Sequence, residues 1–194
     1  MTYTDNKVNL FSNKNYENFN INEDFKKAAL YVAKKRRDFH RSYNTKRHWN
    51  DPSKGEYGDE YWGVLGEIIF RDHIKKKNLK EKSDFPKLFS ENQKELPKYD
   101  VKILDKKIEV KSIPPDSDGK KRIRLLIKES EFHNDDFFIA IKFWDNNTYS
   151  ICGYLTLKEV LNTKITQLTY SRGYSFLLKD LNSIDFFWDL FKNT

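Results

Sequence analysis

Asp100, Glu109 and Lys111 are the residues whose types and spacing could by themselves do chemistry: one acid, then an acid and a lysine two positions apart. Around them the chain alternates, with Val101, Ile103, Ile108 and Val110 apolar and Asp100, Lys102, Glu109 and Lys111 charged. That period of two is the pattern of a half-buried hairpin. A two-residue turn at Asp105-Lys106 sets Asp100 opposite Lys111 and Lys102 opposite Glu109, with Ile103 against Ile108 and Val101 against Val110 on the reverse face. Opposed Cβ atoms are then about 5 Å apart and diagonal ones, such as those of Asp100 and Glu109, about 7 to 8 Å. Two carboxylates so placed repel unless a cation lies between them. With no His or Cys beside them, hard oxygen ligands select Mg²⁺, or Mn²⁺ as its substitute, over zinc. Such an ion polarises a phosphoryl oxygen and lowers the pKa of a bound water, which Lys111 could orient or deprotonate. The arrangement suits phosphodiester hydrolysis.

Taken alone, the same residues describe an exposed, salt-bridged hairpin. Asp24-Phe25-Lys26 and Asp105-Lys106-Lys107 show how easily an acid-x-Lys triplet arises in a chain with 36 Lys+Arg and 29 Asp+Glu. The elements around the hairpin carry the distinction. Asp59 to Lys76 reads as a helix, with Tyr61, Leu65, Ile68 and Asp72 in one row and Trp62 and Ile69 beside it. It places one acid, Glu67, in an otherwise apolar stretch that also holds Gly63 and Gly66. Glycine inside a helix costs about 1 kcal/mol against alanine, so close backbone packing is expected there. An earlier helix starts from the N-cap Asn22, with Phe25, Ala28, Ala29, Val32 and Phe39 at helical spacing over about 17 residues.

Charge is concentrated just before the acid-bearing helix. Of the formal +7, residues 34–49 hold seven basic and one acidic residue, a net +6. Lys34, Lys35, Arg36, Arg37, Arg41, Lys46 and Arg47 are candidates for neutralising nucleic-acid phosphates, and Lys34, Arg37 and Arg41 share one helix face. Tyr43 and Trp49 are interleaved as stacking groups. A second basic group, Lys120, Lys121, Arg122 and Arg124, borders a later strand. Each of these alone is an ordinary solvated side chain; only their clustering speaks for a polyanion. Cys152 is the only cysteine, and His40, His48, His73 and His133 are scattered, which excludes an intramolecular disulfide and a zinc motif. No apolar run approaches a membrane span and the first residues lack an apolar signal core. The expectation is a soluble, cytoplasmic protein with no membrane partner.

Residues 1–21 read as an irregular arm and residues 22–194 as a single domain. Residues 75–98 form mostly loop with a short helical piece. Arg122 to Lys128 supplies a third strand, the apolar run Phe137 to Phe143 a buried central strand, and Tyr149 to Leu155 its hairpin partner across Asn146-Asn147. Thr156-Leu157-Lys158-Glu159 matches a capping box, and one more strand lies near Tyr174 to Leu178. The aromatic tail Phe186 to Phe191 reads as core packing, the alternative being a homodimer seam or a lid. Strands and helices interleave around an early hairpin, so the class is α/β with a central mixed sheet flanked by helices.

The helix acid Glu67, then Asp100, then Glu109-Val110-Lys111, over a core of residues 59–143, resembles the PD-(D/E)xK nuclease superfamily. Tyr99 stands before Asp100 where that signature often has proline, and Pro97 lies two positions earlier. The resemblance implies a restriction-endonuclease-like fold and Mg²⁺-dependent cleavage of DNA by an endonuclease of restriction or junction-resolving type. It implies a metal on Asp100, Glu109 and the Val110 carbonyl, Lys111 as the catalytic lysine, and Glu67 as an auxiliary acid reaching the metal directly or through water. Two other functions fit the same residues: a non-catalytic nucleic-acid-binding protein on this scaffold, and a nuclease directed at RNA.

Overall fold

The computed structural model describes residues 16–42, 58–92, 96–116, 121–131, 133, 135–168 and 171–192. Two helices come first, α1 (Glu23–Ser42) and α2 (Gly58–Lys76). The expected cap is present, since Asn22 Oδ1 accepts from Asp24 N at 2.8 Å. α1 runs a few residues past its expected end. The end of the predicted arm is strand β1 (Phe19–Asn20), and Ile21 is buried in the core. Residues 1–15 of that arm lie outside the described residues.

Six strands form a mixed sheet in the order β1-β7-β6-β4-β3-β2. They are β1, β2 (Ser83–Asp84), β3 (Val101–Ile103), β4 (Lys106–Ile113), β6 (Phe137–Phe143) and β7 (Thr148–Thr156). β4 and β6 are parallel and every other neighbour is antiparallel. The apolar run of β6 is central, as its composition required: six of its seven residues are buried. β5 (Arg124–Lys128) pairs instead with β9 (Arg172–Leu177), and β9 with β8 (Thr166–Gln167), in a second, three-stranded sheet. The capping box of α3 (Leu157–Leu161) is made in full by Thr156 and Glu159. No described helix is long and apolar enough to cross a membrane.

Period-two alternation divides β4 between two apolar clusters. Ile108 and Val110 enter a cluster with Val64, Leu65 and Ile69 of α2 and with Phe187, Trp188 and Phe191 of α4 (Ile184–Lys192). Ile113, on the other face, enters a cluster with Leu125 and Ile127 of β5 and Tyr174 of β9. Helices therefore cover one face of the main sheet and the small sheet covers part of the other. The aromatic tail is core as expected at Phe187, Trp188 and Phe191, while Phe186 and Leu190 point outward.

The hairpin register differs from the expectation by two residues. Val101 pairs with Ile108, Lys102 with Lys107 and Ile103 with Lys106, and the turn is Leu104-Asp105. A shift of two leaves every side chain on its expected face, so the apolar pattern could not distinguish the two registers. The outer strand decides: Ser83 pairs with Ile103, and Leu104 N donates to Lys82 O at 2.7 Å. Leu104 takes up the turn with φ of 56°, a strained choice for a branched side chain.

The two glycines of α2 are not equivalent. A Cβ on Gly66 would lie 2.1 Å from Ser112 Oγ and 3.4 Å from Ser112 Cβ, whereas one on Gly63 would meet nothing within 4 Å. Only Gly66 serves the close approach expected of both, and it seats α2 directly on β4. Gly63→Ala should therefore stabilise the protein by about 1 kcal/mol through helix propensity, and Gly66→Ala should destabilise it. Ser112 Oγ is buried with no hydrogen-bond partner, so Gly66→Ala combined with Ser112→Ala should recover most of the loss. Urea unfolding of the three variants checks this; additive effects in the double variant would show that the contact does not set the distance.

Candidate active site

On β4, β3 pairs with Lys106 to Ile108 and no further. Past Ile108 the ladder on that side of β4 is not continued by β3, and Asp100 takes over: its Oδ2 accepts from Val110 N at 2.7 Å while its own N donates to Ile108 O at 3.1 Å. The Asp100 side chain thus replaces a strand residue at an open sheet edge. At an edge, groups from both faces can meet. Glu109 and Lys111 lie on the face opposite α2, paired in register with Phe138 and Ala140 of β6, and Lys111 Nζ sits 2.8 Å from Glu109 Oε1. Glu67 arrives from α2, one residue after the glycine that lets the helix close on β4.

These groups act on one another electrostatically. Desolvation first, and then the charges of Glu67 and Glu109, hold the Asp100 carboxyl well above the ordinary aspartate range; the Val110 N–H and the charge of Lys111 oppose this. Burial also raises Glu67, against the pull of Arg36 and Arg71, and Glu109 adds to the rise. The Asp100 carboxyl feels the charges of the other three side chains singled out for catalysis, Glu67, Glu109 and Lys111, by a route different from the predicted cross-strand pairing. Asp100 does not face Lys111 across the hairpin; it reaches β4 through the Val110 amide.

Two arginines stitch this arrangement. Arg36 Nη1 lies 3.2 Å from both Glu67 Oε1 and Glu60 Oε1, and Arg36 Nε donates to Leu88 O at 2.8 Å. A group expected on phosphates therefore turns inward to a buried acid. Arg71 Nη1 donates to Pro86 O at 2.8 Å, its Nη2 donates to Asp100 O at 3.2 Å, and Nη2 is 3.8 Å from Glu67 Oε2. It ties the helix acid to the backbone of the strand acid. Sequence reasoning missed Arg71, although it stands four residues after Glu67 on the same helix face, a spacing at which opposite charges meet.

The remaining basic candidates divide. Lys34 and Lys35 are exposed on α1, Arg37 is part-buried there, and Arg41 belongs to the same helix. Lys121 and Arg124 are exposed beside the small sheet, with Arg124 Nε on Ser175 Oγ at 2.6 Å, and Arg122 is part-buried. Lys46, Arg47 and Lys120, with Tyr43 and Trp49, lie outside the described residues.

Among the described residues, no group of three or more His, Cys, Asp or Glu side chains is placed to hold a metal ion. Mg²⁺ does not require one, because it commonly keeps several waters and is held by one or two carboxylates together with substrate phosphate. The donor chemistry at Asp100 and Glu109 fits that mode, since both are oxygen ligands and the repulsion between them is what a cation relieves. Compared with protein-family models, curated proteins and solved structures, the chain matches none.

Two outcomes follow from the charge balance. A carboxyl whose pKa is raised by folding binds protons more tightly folded than unfolded, so its charge lowers stability as pH rises above about 3.8, the ordinary aspartate value. In EDTA, Asp100→Asn should therefore gain on wild type as pH rises from that value, and the gain should vanish below it; thermal unfolding across pH checks this, and a gap independent of pH would contradict it. Arg36→Met should cost about 2 to 3 kcal/mol, because Glu67 is left buried against the more distant Arg71. Lys34→Ala and Lys35→Ala should stay within about 0.5 kcal/mol. Equal small effects in denaturant titrations of all three would show that Arg36 is not a clamp.

Proposed function

We propose that the chain is a metal-dependent nuclease that hydrolyses DNA phosphodiester bonds, on a restriction-endonuclease-like arrangement of the PD-(D/E)xK kind. The observation that carries this reading is the placement of Asp100 on the Val110 amide beside the Glu109–Lys111 pair, with the charge of Glu67 acting on the same carboxyl. A sheet edge that gathers acids and a lysine without neutralising them all is poorly explained by stability, since unbalanced charge at a part-buried site is costly.

In this reading Asp100 and Glu109, with the Val110 carbonyl, would hold Mg²⁺ or Mn²⁺. When bound, such an ion supplies Lewis-acid activation of a phosphoryl oxygen and lowers the pKa of a coordinated water. Lys111 Nζ, held by Glu109, orients the attacking water for in-line displacement and offsets charge growing on the phosphate. Glu67 acts as an auxiliary acid, kept in place by Arg36 and Arg71. Arg71 is a positioning residue that fixes the backbone at Asp100. Lys34, Lys35 and Arg37 on α1, and Lys121 and Arg124 by the small sheet, neutralise the flanking phosphates.

Nicking of supercoiled DNA should require Mg²⁺ or Mn²⁺ and should fall by at least about a hundredfold in Lys111→Ala and as steeply in Asp100→Asn, both folded by circular dichroism. Undiminished cleavage by both variants would falsify the reading. Linear, single-stranded and branched DNA and matched RNA, run in parallel, identify the substrate. A second reading, a binding module without catalysis, is favoured by the absence of a ready-made three-ligand group among the described residues; salt-sensitive DNA binding with no cleavage of any substrate would select it.

A further inference from the structure

The apolar run of β6 contains one ionisable residue, Lys142, and it is only 1% exposed. In the sheet Lys142 pairs with Ile113 of β4 and Ser150 of β7. It shares the face of Phe138 and Ala140, and those residues pair with Glu109 and Lys111, so Lys142 lies on the sheet face that carries the candidate site. Three groups meet its ammonium. Nζ donates to Asp116 Oδ1 at 2.7 Å and to Pro114 O at 2.8 Å, and it lies 5.8 Å from the centre of the Trp144 ring.

Burying an ammonium is costly even when it is paired, and an apolar side chain of similar volume in its place is often as stable or more so. Stability is therefore a poor reason for a lysine in a central strand. What the pair does is geometric. β4 ends at Ile113, and Pro114 and Asp116, both held by Lys142, follow directly. Asp116 Oδ1 accepts a second hydrogen bond, from Arg122 N at 2.9 Å, just before β5. One carboxylate oxygen thus ties the exit of β4, the centre of the sheet and the entry to β5. The Asp116 side chain is 43% exposed, so a surface acid is held from beneath by a buried base.

Lys121 is exposed beside this tie, and the peptide group that joins it to Arg122 carries the N–H that Asp116 holds. We infer that Lys142 and Asp116 are positioning residues for Lys121 as a contact to nucleic-acid phosphate. The buried ammonium sets the carboxylate, and the carboxylate sets the backbone from which Lys121 reaches out. The phosphate partner rests on the nucleic-acid reading above. By charge alone Asp116 is an obstacle there, since a carboxylate near a phosphate repels it, and that opposition separates a positioning role from a purely electrostatic one.

Equilibrium binding of duplex DNA to the intact chain in EDTA, measured across salt concentrations, tests this. In Lys121→Ala the slope of log K against log salt should be shallower by about one, the loss of one phosphate contact. Asp116→Ala should lose as much, although charge alone predicts tighter binding once an acid is removed. Asp116→Asn keeps the oxygen that holds Arg122 N and should bind at least as tightly as wild type. Lys142→Met should lose the same contact while unfolding close to the wild-type temperature. Adding Lys121→Ala to Lys142→Met or to Asp116→Ala should change nothing more. Either of these two backgrounds decides the question should the other fail to fold. Tighter binding by Asp116→Ala, or losses that add in the combined variants, would overturn the inference. The expected pattern in a protein that cleaves no nucleic acid would keep the inference and remove the nuclease reading. Additive losses beside Mg²⁺-dependent cleavage lost in Lys111→Ala would do the reverse, and a wild type that binds no nucleic acid would remove both.

Discussion

Repulsion among carboxylates organises this molecule. Glu67, Asp100 and Glu109 act on one another where α2 meets β4, and each is held by a different kind of group: two guanidiniums for Glu67, a backbone amide for Asp100, an ammonium for Glu109. Burial raises the cost of every one of these charges, so none of the counter-groups is interchangeable with solvent. The surrounding architecture follows from keeping the three together. α2 must lie close enough to deliver Glu67, which Gly66 permits against Ser112. β3 must begin late enough to leave Val110 N for Asp100, which the short strand Val101–Ile103 achieves.

Arg36 and Arg71 make the site a tertiary object rather than a hairpin motif. Arg36 joins α1, α2 and the loop at Leu88, while Arg71 joins α2, the loop at Pro86 and the backbone at Asp100. Four segments of the chain are locked by two side chains whose planar, multi-donor heads suit such bridging. The basic cluster of α1 therefore has two functions in one helix turn: Lys34 and Lys35 face water, and Arg36 faces the core. A run of like charges says little about where each member points, because successive helix residues are rotated by about 100°.

The elements were legible where local physics was decisive. α2 begins within one residue of its expected start and ends at Lys76, β6 is the run Phe137–Phe143, and the Thr156–Glu159 capping box forms as spelled. Each has a strong local signal: helical periodicity, a continuous apolar run, or a reciprocal pair of hydrogen bonds. Legibility failed where two arrangements satisfy the same local rule. The hairpin turn could sit at Leu104-Asp105 or one residue on with no side chain changing face, and pairing with β2 settled it. β5 reads as a strand in either sheet, and it joined β9 rather than the hairpin.

By itself the sequence determined which side chains alternate on β4, that Glu67 lies on a largely apolar helix, and that the class is α/β with a mixed sheet. Those properties depend on the period of a helix or strand and on residue type, which are local. Only the tertiary structure decided that Asp100 meets β4 through the Val110 amide, that Arg36 turns inward, and that Arg71 belongs with the site. Such facts depend on which segments pack against one another, and a charge acquires its partner, or is left without one, only when burial removes the water that would otherwise serve.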